Sequence, residues 1–180
     1  MKTSTPEDAI AELMATPLLS GVPEGRKRTI FGALQRRPIE AGSPLIAQGV
    51  RNDRLWFLIE GDVAVDRARA DGRVDRLAEF SGPAIYGTTT FFRPTGPSAT
   101  IRATTDLVAW TLDQAGLDRI RQEDPEAAEA LALSVVRVLS ERFDLLDRKL
   151  AELLAEHADD HPRANEWANF RTRVFEEPAL

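Results

Sequence analysis

The stretch YGTTTFFRPTGPSATIRA, at residues 86–103, carries the most distinctive pattern in the chain. A glycine follows an aromatic residue, and after it come a threonine-rich turn, two phenylalanines and a loop of prolines and glycine. A Ser-Ala-Thr run then leads into a strand. Turns of this kind can present backbone N–H groups to an anion. The stretch is therefore predicted to have the outline of a phosphate-cradling loop and to form the ligand site.

Short β-rich runs lie on both sides of this loop. Apolar segments occupy residues 42–49, 55–65 and 103–113, and they are separated by glycine, aspartate and proline turn signals. This spacing is typical of an all-β roll or barrel, which we predict over residues 37–113.

Two hairpins are predicted inside the roll. Residues 56–60 and 62–66 are expected to pair across Gly61, and residues 63–68 and 74–80 are expected to pair across the Asp-Gly turn that follows.

Helical patterns precede and follow the roll. A Thr-Pro-Glu-Asp run gives an N-cap, a proline at the first helical position and an early acid, which predicts a helix over residues 5–14. A second helix is predicted over residues 23–34.

After the roll, a helix over residues 113–122 breaks at Pro125, and a long helix continues to about residue 158. The chain thus divides into an N-terminal helical segment (1–36), the roll (37–113), C-terminal helices (114–160) and a tail (161–180).

The long helix carries two apolar rows. Spacings of three and four residues form an a/d heptad seam, which predicts an interface with a partner helix. The seam residues predicted to form this interface are Val136, Leu139, Phe143, Leu146, Leu150 and Leu153. A second row on the adjoining face, Leu131, Val135, Val138 and Leu145, is expected to pack on the roll.

The loop and its flanking strands, taken in order, resemble the cyclic-nucleotide-binding domain family over residues 18–154. The resemblance implies an α+β fold with a β-roll (a double-stranded β-helix or jelly roll), N-terminal helices and a long C-terminal dimerisation helix. Through this helix the resemblance implies a parallel homodimer. In the family, a glutamate after the glycine holds the ribose hydroxyl, and an arginine before the Ser-Ala-Thr run pairs with the cyclic phosphate. Thr88 and Pro97 occupy those places here.

A cyclic nucleotide is thus the cofactor that the resemblance implies, with two of its charged partners missing. Each lost charge-assisted hydrogen bond is worth roughly 1.5–3 kcal/mol, so the two together cost about two to four decades of affinity. Arg93 is a candidate substitute cation. The remaining expected lining residues are Tyr86, Gly87, Thr88, Thr89, Pro97, Ser98, Ala99 and Thr100, with Ser140 and Arg142 of the long helix closing over them.

Composition and charge restrict the function classes. The chain has 180 residues and no cysteine, which excludes disulfides and thiolate chemistry. No apolar run approaches the ~20 residues that cross a bilayer, and no signal-peptide core is present, so a cytoplasmic protein without membrane contact is expected. Residues 117–160 hold twelve acids and six bases, the opposite of a nucleic-acid-binding face.

No catalytic or metal motif is present in the sequence. His157 and His161 are interpreted as surface residues at a helix end. The tail is too short for a helix-turn-helix, so no DNA-binding domain is expected. Its Trp167, Phe170 and Phe175 either dock on the body or form an anchor for another protein.

The sequence therefore predicts a non-catalytic regulatory protein. In one interpretation it is a dimeric pseudo-receptor or scaffold that acts through protein contacts, with cyclic-nucleotide binding weak or lost. The alternative is a sensor module that binds a cyclic nucleotide, a cyclic dinucleotide or another ligand in the modified loop.

Overall fold

A computed structural model describes residue 11 and residues 16–156 of the chain. Its helices are α1 (Pro17–Ser20), α2 (Glu24–Gly32), α3 (Gln114–Glu123) and α4 (Pro125–Glu156). Its strands are β1 (Gln35–Ile39), β2 (Pro44–Ile46), β3 (Leu55–Glu60), β4 (Asp62–Ala68), β5 (Val74–Ser81), β6 (Ala84–Tyr86), β7 (Thr100–Ala103) and β8 (Leu107–Leu112). The predicted helix over residues 5–14 lies outside the described residues.

The strands form two antiparallel sheets of four strands each, in the orders β1-β8-β3-β6 and β2-β7-β4-β5. This arrangement, with helices before the roll and a long helix after it, confirms the predicted α+β fold. The β4–β5 hairpin is also confirmed, since Val63 lies opposite Phe80 and Val65 lies opposite Ala78.

The predicted hairpin across Gly61 is wrong. Strand β3 pairs with β6 and β8, whereas β4 pairs with β5 and β7, so the chain changes sheets at this glycine. Gly61 has a φ of +109°, and a Cβ there would lie 2.6 Å from the Cβ of Leu107. Only glycine takes this corner without strain.

Strand β3 of the first sheet is buried on both of its faces. Residues 55–59 are all buried, so this strand reads as a continuous apolar run instead of an alternating one. Leu55 and Phe57 pack in the same cluster as residues of the helices, while Trp56 and Leu58 pack with Val63 and other residues of the second sheet. One cluster therefore joins the helices to the roll, and the other fills the roll.

Helix α4 extends across two compact units, Met1–Leu139 and Ser140–Leu180. In the first unit, Leu131, Val135 and Val138 are buried in the cluster that joins the helices to the roll, as the sequence predicts. In the second unit, Leu145 is 61% exposed, so it does not continue the buried row. Within the described residues, no helix is long and apolar enough to cross a membrane.

A polar cluster fixes the start of α4. The backbone N–H of Ala127 donates to the carboxylate of Asp124 at 3.1 Å, and Arg26 of α2 donates to the same carboxylate at 2.7 Å. The hydrogen bond from Arg26 is the main cause that lowers the pKa of Asp124 below its ordinary value. Asp124 thus caps the long helix and connects it to α2.

Candidate ligand site

Residues 86–100, which form most of the predicted phosphate-cradling stretch 86–103, are called the cassette below. It begins with a single turn in which the N–H groups of Thr90 and Phe91 donate to the carbonyl of Gly87, at 3.1 and 2.9 Å. Gly87 has a φ of +85°, and a Cβ on it would lie 2.2 Å from the carbonyl oxygen of Arg54. Glycine is required here both for the turn and for the close approach of a second segment.

That second segment, residues 47–54, is called the facing loop. Its Gly49 N–H donates to the carbonyl of Pro97 at 2.9 Å, and its Asn52 N–H donates to the carbonyl of Thr95 at 3.2 Å. A Cβ on Gly96 would lie 2.6 Å from the carbonyl oxygen of Gly49. The two loops are therefore joined backbone to backbone, and the Pro/Gly part of the cassette has a defined position.

Asn52 is the central side chain of this joint, and it is buried. Its Nδ2 donates to the carbonyl of Arg54 and to the hydroxyl of Thr90, both at 2.8 Å. Its Oδ1 accepts from Trp56 Nε1 at 3.3 Å. One amide therefore holds together the facing loop, the turn of the cassette and strand β3. The sequence marks Asn52 only as part of a turn signal, so this role was missed.

Two glutamine side chains connect the facing loop and the cassette to other parts of the fold. The side chain of Gln48 bonds both ways to the backbone of Ala68, and the Gln48 N–H donates to the Thr100 hydroxyl at 3.0 Å. Gln114 Nε2 of α3 donates to the carbonyl of Phe91 at 2.6 Å. The cassette is thus tied to both sheets and to the helices. Neither glutamine stands out in the sequence.

We expect the Asn52→Ala variant to lose about 2–3 kcal/mol of unfolding free energy. The change leaves the buried indole N–H of Trp56 without its acceptor and removes the donor to Thr90, and an unsatisfied buried polar group costs roughly 1–3 kcal/mol. Urea unfolding measures the loss. The matched control is Asp53→Ala, whose side chain makes no hydrogen bond or ion pair among the described residues. A loss no larger than that of the control would mean that Asn52 does not hold the joint.

The predicted lining residues differ in exposure. Thr88 is only 3% exposed, whereas Thr89, Arg93 and Ser98 are exposed. The half-buried members are Tyr86, Gly87, Pro97, Ala99 and Thr100. Ser140 and Arg142 are exposed on α4 in the second unit. Their closing over the cassette stays a prediction.

A partly exposed aromatic residue, Phe80 of β5, is a further feature that the sequence analysis did not predict. Phe80 lies directly opposite Val63, so the two side chains share one face of the second sheet, and Val63 is fully buried inside the roll. Phe80 is nevertheless 48% exposed. The inner face of the second sheet is therefore only partly covered at Phe80. A regular alternation of apolar and polar residues would have indicated Phe80 in the sequence, but the charged residues of β5 interrupt that alternation.

The heptad seam of α4 is largely exposed in the single chain. Val136 is 58% exposed in the first unit, and Phe143 and Leu146 are 48% and 67% exposed in the second. Leu139 and Leu150 are half-buried, and the side chain of Leu153 lies outside the described part. The seam remains a predicted interface.

Several predicted residues lie outside the described residues: His157, His161, Trp167, Phe170 and Phe175. Nothing in the structure tests their roles. Within the described residues, no group of three or more His, Cys, Asp or Glu side chains is arranged to hold a metal ion.

Comparisons with known proteins agree with this architecture. Residues 36–124 match the family model of the cyclic nucleotide-binding domain. A CRP-like cAMP-activated global transcriptional regulator of Mycobacterium tuberculosis is 29% identical over 140 residues, which cover 75% of this chain and 60% of that protein. The chain thus spans about 60% of the length of this curated relative.

Solved structures give the same result for the fold. The N-terminal domain of a transcriptional regulator from Streptomyces coelicolor is 27% identical with a TM-score of 0.65, covering 75% of this chain and 94% of that one. The catabolite activator protein of Thermus thermophilus is 24% identical with a TM-score of 0.67, covering 79% of this chain and 65% of that one.

Proposed function

Because residues 36–124 form a cyclic-nucleotide-binding domain of the catabolite-activator type, we propose that the chain is a dimeric, non-catalytic regulatory module. It dimerises through α4 and acts through contacts with another protein. Ordinary cyclic-nucleotide binding is weak or lost. Direct DNA binding is not part of the proposal, since the acidic excess of residues 117–160 repels phosphates.

The two rows of α4 carry this proposal. Leu131, Val135 and Val138 are already buried by the chain itself, so they are not available to a partner. The seam row keeps large apolar side chains exposed at heptad spacing. Burying a Leu, Val or Phe side chain contributes roughly 1.5–3 kcal/mol, so four or five per helix supply enough to hold a dimer against its association cost. A second copy of the same helix is self-complementary to this seam.

Weak cyclic-nucleotide binding is supported by the residues of the cassette. Thr88 offers a hydroxyl where a carboxylate would accept strongly from a ribose, and Pro97 offers neither a charge nor an N–H. Arg93 is the only charged residue in the cassette, and it is exposed. The backbone frame of the family loop is therefore retained without its charged groups.

A second candidate function, a sensor for another small molecule, is favoured by how firmly the cassette is held. Buried Asn52 and the two glutamines keep the loop in place although the ordinary ligand contacts are gone. Phe91 of the cassette is fully buried in the same cluster as Leu131 and Val135 of α4. A ligand that moves the cassette would therefore shift the packing of the long helix, and this shift would change how the helix binds its partner.

A thermal-shift panel distinguishes the two candidates. Cyclic AMP, cyclic GMP, a cyclic dinucleotide and 5′-AMP are each added to the full chain. A ligand present at 100 times its dissociation constant adds about 2.7 kcal/mol of stability, which is several degrees for a domain of this size. We expect cyclic AMP and cyclic GMP to give no shift below high micromolar concentrations. A low-micromolar response to either would contradict the proposal.

A further inference from the structure

We propose that the cassette binds a phosphomonoester and that Arg54 supplies its counter-charge. This inference rests on the sensor function, the second candidate above. Arg54 is not at the position of the family arginine, and the sequence pattern does not mark it.

The backbone of Arg54 is fixed against the turn of the cassette. Its carbonyl oxygen would be 2.2 Å from a Cβ on Gly87, which means that the two backbones touch. The same carbonyl accepts from Asn52 Nδ2 at 2.8 Å, and that amide also holds Thr90. Arg54 is therefore a neighbour of the first turn of the cassette, next to the place where the family carries its glutamate.

The guanidinium of Arg54 has an unused donor. Its Nε is buried and has no hydrogen-bond partner among the described residues. No ion pair of Arg54 is found in the same part of the chain. A guanidinium stays charged at all physiological pH values, so its buried N–H is costly unless an acceptor reaches it. A phosphate oxygen beside the cassette is such an acceptor.

Other arginines fit this role less well. Arg37 also has a buried Nε without a partner among the described residues, but its Nη2 donates to Gln35 at 3.0 Å, and it lies on β1, with two strands between it and β6. Arg76 and Arg102 form ion pairs with Asp66. Arg93 is exposed on the cassette.

The charge of the cassette favours a phosphomonoester over a cyclic diester. Cassette residues 86–100 contain no acid, and Thr88 stands where a carboxylate would repel a second negative charge. A phosphomonoester carries close to two charges at neutral pH. Hydroxyl donors such as Ser98, together with the arginine, suit its additional oxygens.

The test follows the Nε–H resonance of Arg54 by ¹⁵N–¹H NMR in the labelled full chain. Inorganic phosphate, 5′-AMP, cyclic AMP and acetate are titrated separately. We expect 5′-AMP to shift the Arg54 resonance, inorganic phosphate to shift it at higher concentration, and acetate to leave it unchanged. Arg54→Gln should weaken 5′-AMP binding at least fivefold, whereas the control Arg28→Gln, at an exposed arginine of α2, should change it less than twofold. Arg54→Lys, which keeps the charge but not the Nε–H, should fall between them.

The outcomes separate this inference from the proposals it rests on. If 5′-AMP moves other cassette resonances but not Arg54, or if Arg54→Gln binds as well as the unmodified chain, the assignment to Arg54 is wrong and the sensor function stands. If no probe moves any resonance, this inference fails, and the thermal-shift panel with the cyclic dinucleotide tests the sensor function separately. Light scattering of the same samples tests the dimer separately. If Arg54→Gln fails to fold, the Arg54 Nε–H resonance of the unmodified chain still shows whether 5′-AMP contacts Arg54.

Discussion

The Leu146→Asp variant is expected to be a monomer at micromolar concentrations at which the unmodified chain is a dimer. Leu146 is 67% exposed in the single chain, so the substitution removes no packing within it. In a parallel dimer the same position meets its counterpart across the seam, where two unpaired carboxylates would be brought together in an apolar environment. Such a charge costs several kcal/mol, which changes the dissociation constant by more than a hundredfold.

The neighbouring residue supplies a matched control. Leu145 is 61% exposed but lies off the a/d seam, so Leu145→Asp should leave the dimer intact. Multi-angle light scattering over a range of concentrations reports both variants. Thermal unfolding of each at low concentration shows whether the single chain is unaffected. A monomeric unmodified chain, or equal effects of the two substitutions, would remove the seam as an interface.

The fold could be predicted because its signals are local. Turn residues separate short β-rich runs, and the Asp-Gly turn correctly marks the β4–β5 hairpin. The hairpin across Gly61 was predicted wrongly because strands that follow each other in sequence usually pair. Nothing in residues 55–68 indicates that β3 pairs with β8 and β4 with β7. Those pairings join segments about fifty and forty residues apart. Sheet assignment depends on these long-range partners, so a local pattern cannot contain it.

The site could be predicted only in its outline for a similar reason. The glycine turn and the Pro/Gly loop are visible as a pattern, and the structure places them in one loop. The residues that brace it are polar side chains without any motif: Asn52 reaches Thr90 across 38 positions, and Gln114 reaches Phe91 across 23. The sequence pattern does not indicate Arg54 either, since only the three-dimensional contact with Gly87 brings it to the cassette. The sequence shows which loop departs from the family pattern, but not which side chains surround that loop.

Burial explains how a change in the cassette would reach α4. Phe91 is fully buried in the same apolar cluster as Leu131 and Val135, and close-packed interiors transmit strain when a side chain is displaced. In the proposed sensor function, the buried row of α4 would be displaced with the cassette, and the exposed row would carry that displacement to a partner. A dimer interface on the exposed row would couple the two copies without any further contact.

The Thr88→Glu, Pro97→Arg double variant is expected to bind cyclic AMP at least ten times more tightly than the unmodified chain. The two changes restore a carboxylate for the ribose and a guanidinium for the cyclic phosphate, each worth roughly 1.5–3 kcal/mol as a charge-assisted hydrogen bond. The frame should survive the change at position 97, because Gly49 donates to the backbone carbonyl of Pro97 and not to its side chain. Proline has no N–H, so no ladder bond is lost.

Calorimetric titration measures the affinity, and the Thr88→Gln, Pro97→Gln variant controls for size without charge. Thr88 is buried, so the glutamate variant requires some relaxation around the turn, and the melting temperatures of both variants are compared to verify that they fold alike. If charge is what the cassette lacks, the glutamine pair should gain little affinity while the Glu/Arg pair gains a decade or more. Equal affinities for the two variants would mean that the shape of the cassette, and not its missing charges, excludes the nucleotide. Low-micromolar binding by the unmodified chain would show that Arg93 or Arg54 already replaces the lost guanidinium.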